Sequence, residues 1–153
     1  MKIRSLLCTL SLALALPLGL NAQPPGGGEK KEPETELGKH MDKIGGAFRA
    51  LRRQIADATK NEDSLKRVAT IKENAQAALK LEPAFKAKQP AGEQAKFVAN
   101  YQAKMKDFLA DVDKLEAALK ANDNATAAKL CDALKADQDE GHKEFRPPQK
   151  KKG

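Results

Sequence analysis

The sequence predicts an all-α fold, an antiparallel up-down-up-down four-helix bundle, on three observations. Apolar residues return at steps of three and four in four separate blocks. Clusters of Pro, Gly, Asn and Asp part those blocks. No β-branched or alternating stretch is present to build a strand. The first block runs Leu37, Met41, Ile44, Phe48, Leu51 and Ile55. The second follows a cap at Asn61 or Asp63, carries Leu65, Val68, Ile71, Ala75, Ala78 and Leu79, and stops at Pro83. A loop with Pro83, Pro90 and Gly92 leads to the third and longest block, from Phe97 through Tyr101, Met105, Phe108, Val112 and Leu115 to Leu119. The turn Asn122-Asp123-Asn124 offers a cap for the fourth block, which presents Ala127, Cys131, Leu134, Gln138, His142 and Phe145 before Pro147-Pro148 breaks it.

Four stretches of the chain play different parts. Residues 1–22 combine a basic start at Lys2 and Arg4, an apolar run from Leu6 to Leu20 and a small residue at Ala22, the pattern of a cleaved export signal. The apolar run is too short for a membrane span, so the mature chain is expected to be soluble and exported, with no transmembrane segment. Residues 23–33, with Pro24-Pro25 and Gly26-Gly27-Gly28, read as a flexible linker. Residues 34–146 hold the bundle, and 147–153, with Lys150-Lys151-Lys152, read as a disordered basic tail.

The whole chain has a formal net charge of +7 from 28 basic and 21 acidic residues, and loss of Lys2 and Arg4 with the leader brings it to +5. Acids and bases interleave along the helices, which describes a solvated surface and disfavours nucleic acid, whose binding needs a concentrated basic face with stacking aromatics. Cys131 is the single mature cysteine, on the inward side of helix 4. It reads as an inert thiol, with an intermolecular disulfide as the other reading.

The residues that bear on function lie at one end of this bundle. In an up-down-up-down bundle the start of helix 1 and the end of helix 4 share an end. Met41 and His142 therefore sit at matching depth, roughly 8 Å in at 1.5 Å per residue. A thioether facing an imidazole across a core suits the two axial positions of one haem iron. His40 points about 100° away around the helix, which places it in solvent, and it is an alternative ligand if the register slips. Phe48, Phe85, Phe97, Tyr101 and Phe145 gather toward the same end, either as walls for a porphyrin or as the filling of a wider bundle end. Gly45-Gly46 is costly inside a helix, at about 1 kcal/mol per residue relative to Ala. Gly45, one turn after Met41, either admits a flat cofactor or a helix to the backbone or marks a tolerated kink. Two histidines without a spaced carboxylate pair disfavour zinc, and Glu-x-x-His pairs for a di-iron bundle are absent. Covalent haem needs Cys-x-x-Cys-His, and the segment ending at His142 is Gln138-Asp139-Glu140-Gly141-His142, so haem here is expected to be noncovalent.

At these residues the chain resembles the cytochrome b562 family of soluble periplasmic haem proteins. Leu37-x-x-x-Met41 looks like the family's helix 1 segment, and His142-x-x-Phe145-Arg146 looks like its C-terminal ending. Ala118-Leu119-Lys120-Ala121-Asn122 looks like its helix 3 ending. The resemblance implies haem b with Met41 and His142 as axial ligands, and Arg146 paired with a propionate. Lys104 departs from the apolar haem contact expected on helix 3.

The expectation is a monomeric electron carrier, not an enzyme, that passes single electrons to redox partner proteins. The competing expectation is a cofactor-free binding or chaperone-like module of the cell envelope. Pro147-Pro148 ends helix 4 and the lysines after it bury nothing apolar, so deletion of 147–153 should leave thermal stability and haem uptake unchanged. A flexible arm with three lysines is expected to attract an acidic redox partner or a membrane surface over roughly 8–10 Å at physiological salt. Stopped-flow electron transfer with such a partner should therefore become slower and less salt-sensitive on truncation, and identical salt slopes would reduce the tail to a solubilising end.

Overall fold

A computed structural model describes residues 35–146. The expected leader over 1–22, the linker over 23–33 and the tail over 147–153 lie outside them. Four helices make up the fold: α1 Glu36–Arg52, α2 Asn61–Ala78, α3 Gln94–Lys120 and α4 Asn124–Phe145, with no strand among the described residues. Helix α1 starts where Thr35, extended and outside the helix, accepts a hydrogen bond from the Gly38 amide through its side chain. It stops at Arg52, earlier than the apolar pattern suggests. The chain turns through a bond from the Gln54 amide to the Leu51 carbonyl, yet Ile55 is still buried beyond the helix.

The stripes close on one another as a single core. Leu51, Val68, Ile71, Val112, Leu115, Leu119, Cys131 and Leu134 are all removed from solvent. Each buried Leu, Ile or Val contributes about 1.5–3 kcal/mol relative to an exposed one. Consecutive helices pack side by side, α1 on α2, α2 on α3 and α3 on α4, while α1 and α4 approach each other less closely than these. Tyr101 ties α3 to the end of α2, its hydroxyl donating to the Ala78 carbonyl at 2.9 Å. Lys72 links α2 to Asp113 and Glu116 of α3 at 2.7 and 2.6 Å.

The end of the bundle that joins α1 to α2 and α3 to α4 is fastened by amides. Asn61 does not cap α2; it lies buried at the first position of that helix. It exchanges hydrogen bonds with Asn124 at 2.8 and 3.1 Å and donates to the Asn122 side chain at 2.9 Å. Asn124 in turn donates to the Ile55 carbonyl at 2.6 Å. Asn122 adopts a φ of 56°, the left-handed conformation that Asn tolerates and that reverses the chain between α3 and α4. Asp123 then caps α4, accepting from the Thr126 amide at 2.9 Å.

Replacing Asn61 by Leu should cost about 1–3 kcal/mol, because it strands the Asn124 amide beside buried surface. A urea titration checks this; an unchanged midpoint would mean that water serves the amides equally well.

Candidate functional site

The opposite end is built differently. Where α1 begins and α4 ends, a cavity of about 530 Å³ lies among α1, α3, α4 and the turn after Pro83. Met41 and His142 both line it, and so does Arg146. Their common level follows from the antiparallel register of α1 and α4. Arg52 meets Asp132 across that seam at 3.2 Å. Eleven residues back along α1 lies Met41, and eleven residues onward along α4 lies Lys143, next to His142. Both side chains are thus carried about 16 Å from the same crossing.

The imidazole of His142 is half-buried. Burial, and then the neighbouring Arg146 guanidinium, push its pKa below the usual 6.5 against the weaker pull of Asp139. At neutral pH it is uncharged and holds a lone pair for a metal. The Met41 thioether is half-buried against the core. Arg146 terminates α4, its amide bonded to the His142 carbonyl at 3.3 Å, which fixes it beside the histidine.

Aromatic rings support the cavity from the α3 side. Phe85, Phe97, Phe145 and Tyr101 form a chain of edge-on contacts, with centroids 6.1, 5.2 and 5.5 Å apart in that order. Of these, Phe85, Tyr101 and Phe145 face the cavity, whereas Phe97 stands behind them. Phe48 belongs to the central core and does not line the cavity. Phe108 and Met105 do line it, and neither is singled out by the sequence. Their spacing from Tyr101, four and seven residues, puts all three on one face of α3 and was the signal available.

Two further sequence expectations need correction. Gly45 is not among the cavity residues; a Cβ there would meet only the Arg49 guanidinium, at 3.4 Å, and one at Gly46 would meet nothing. The glycine pair therefore makes room for no neighbouring helix. His40 is half-buried, not solvated: its Nδ1 donates to Asn74 Oδ1 at 2.9 Å, with Asn74 oriented by its own bond to the Thr70 carbonyl. That contact fastens α1 to α2 and directs the ring away from the cavity, which His40 does not line. Lys104 reaches the cavity edge, yet its ammonium group is held 3.3 Å from Glu140, so its charge is met at the surface. Cys131 is buried in the core with its thiol pushed up to about 11 by that burial, which fits an inert side chain.

A cavity of this volume lies within the roughly 300–1,000 Å³ of pockets that take a small organic cofactor. Its donor set, one thioether and one neutral imidazole with a guanidinium beside them, fits a noncovalent haem bearing carboxylates. Among the described residues no helix is long and apolar enough to cross a membrane. Neither a curated protein nor a solved structure matches the chain. The family model for cytochrome b562 matches residues 36–146, from the first residue of α1 to the residue that ends α4. The chain belongs to the cytochrome b562 family, b-type haem cytochromes that carry electrons.

Proposed function

We propose that this chain holds one haem b noncovalently between Met41 and His142 and serves as a single-electron carrier in the periplasm. The observation that carries the reading is that these two side chains, far apart in sequence, line one cavity at one level of the bundle. When bound, haem iron supplies one-electron exchange, and Met/His ligation raises its potential relative to ligation by histidine alone. His142 presents an uncharged imidazole, and the Met41 sulfur needs no deprotonation to bind. Arg146 offers a guanidinium to a propionate. Tyr101, Phe108 and Phe145 keep water from one side of the cavity. The leader over 1–22 supports export, and the redox partner is a second protein whose surface meets the cavity end.

Hemin added to the purified chain should give a low-spin b-type spectrum and should extract fully into acidified organic solvent. Met41→Ala should leave a haem that is five-coordinate or water-ligated, with a lowered potential. His142→Ala should lower hemin affinity by about 10–100-fold or more, since loss of a direct ligand costs at least as much as loss of its supporting contacts. Equal spectra for the wild type and both variants would contradict the assignment. A colourless wild type with no haem-induced stabilisation would contradict the whole reading.

The lowered pKa of His142 also has a sign that stability measurements can read. Below the usual 6.5 the unfolded chain takes up a proton that folded His142 resists. The haem-free protein therefore loses stability as pH falls from 6.5 through the lower folded value. Carboxylates held down by hydrogen bonds, such as Asp63 by Gln54 and Glu62 by Lys66, act mainly below their usual 3.8 and 4.5 and leave the upper part of the window to His142. Thermal midpoints of the haem-free chain between pH 4.5 and 6.5 should thus rise with pH, and His142→Gln should flatten the rise. A variant with the wild-type slope would remove His142 as its cause.

A further inference from the structure

The chain has three methionines, Met1, Met41 and Met105, and the two beyond the initiator both line the cavity that His142 lines. Their helices bring them within about one helical turn of each other along the bundle. Lys104, adjacent to Met105, pairs with Glu140 on α4, two residues from His142, and Met41 lies opposite Lys143 in the α1–α4 register. The other histidine, His40, is engaged with Asn74 outside the cavity. Haem ligation by Met41 and His142 leaves the Met105 sulfur unused.

Two thioethers and one imidazole form a soft donor set. Thioether sulfur selects Cu(I) among the common biological cations, and imidazole binds copper well. Thioethers are neutral, so they do not attract hard cations such as Mg²⁺ or Ca²⁺, which demand oxygen ligands. Among the described residues no three His, Cys, Asp or Glu side chains converge on a metal position. Around the soft set the charge is favourable. Asp107, Asp111 and Asp137 line the cavity against Lys104 and Arg146, an excess of one negative charge that suits a monovalent cation. Tyr101 and Phe145 supply an apolar wall on one side of the cavity.

We propose that the haem-free chain binds one Cu(I) ion in this cavity, held by the sulfurs of Met41 and Met105 and an imidazole nitrogen of His142. Haem and Cu(I) then compete for one space. The copper site depends on Met105, which the haem reading does not use, and it stands or falls separately from that reading.

The experiment is a competition for Cu(I), supplied with excess ascorbate, between bicinchoninate and the full-length haem-free chain. Wild type should withdraw one Cu(I) per chain. Met105→Leu, which conserves bulk and apolarity, should weaken binding by about 10–100-fold, while His40→Ala should stay within about twofold of wild type. Thermal melting of each variant separates loss of a ligand from loss of the fold. X-ray absorption at the copper edge of the wild-type complex, which needs no variant, should show sulfur scatterers together with nitrogen. Failure of wild type to compete with bicinchoninate would overturn the proposal. So would a folded Met105→Leu that binds like wild type, or a copper shell of nitrogen and oxygen alone. A hemin titration of the same preparation is read independently, so loss of one ligand identifies which of the two readings has failed.

Discussion

The antiparallel register of α1 against α4 is the constraint on which the site depends. These helices are joined by no direct loop and pack on each other least of all neighbours in the bundle. Their alignment is therefore inherited from three successive antiparallel packings, α1 on α2, α2 on α3 and α3 on α4. The Arg52–Asp132 pair reports that alignment and contributes little to it, because both side chains are well exposed and surface ion pairs are worth about 0–1 kcal/mol. The apolar layer holds the register: Leu51 of α1 and Cys131 and Leu134 of α4 are fully buried. A slip of one residue would turn Met41 through about 100° and carry its sulfur off the cavity face.

The two ends of the bundle divide stability from function. At the fastened end, the amides of Asn61, Asn122 and Asn124 satisfy one another and two backbone carbonyls, which fixes where α2 and α4 begin. At the other end a cavity of about 530 Å³ interrupts the packing. Side chains that line a void lose contacts they would have in a filled core. A ligand that fills the space restores those contacts and stabilises the folded chain by mass action. Tyr101 belongs to both arrangements. Its ring lines the cavity while its hydroxyl anchors α3 to the last turn of α2, so the wall of the site is fastened to the scaffold.

What was legible in the sequence was whatever a single helix encodes. The stripes from Ile44 to Leu51, Val68 to Ala78 and Val112 to Leu119 gave the helices and their buried faces, and Pro83 and the Asn122-Asp123-Asn124 turn gave the breaks. Met41 and His142 were legible together because up-down topology converts sequence position into depth. Cross-helix partners were not. His40 looks solvated until α2 supplies Asn74, and Asn61 looks like a cap until Asn124 folds back on it. Met105 and Phe108 read as ordinary core positions, since helical spacing gives a residue's face but not whether the facing space is filled. Gly45 shares a side of α1 with Met41, yet the lining residue in that turn is its neighbour Ile44, whose side chain reaches the cavity where glycine has none to offer.

In the proposed haem complex one thioether and one imidazole, from opposite ends of the folded chain, meet on a single iron. Methyl-labelled methionine NMR of the ferrous haem complex tests it most directly, because the ring current of a haem displaces the methyl group of an axial methionine far upfield of all other methyl signals. One such displaced signal is expected, absent from Met41→Ala, with the Met105 methyl not displaced in this way. A displaced signal that survives in Met41→Ala, or none at all in the wild type, would contradict it.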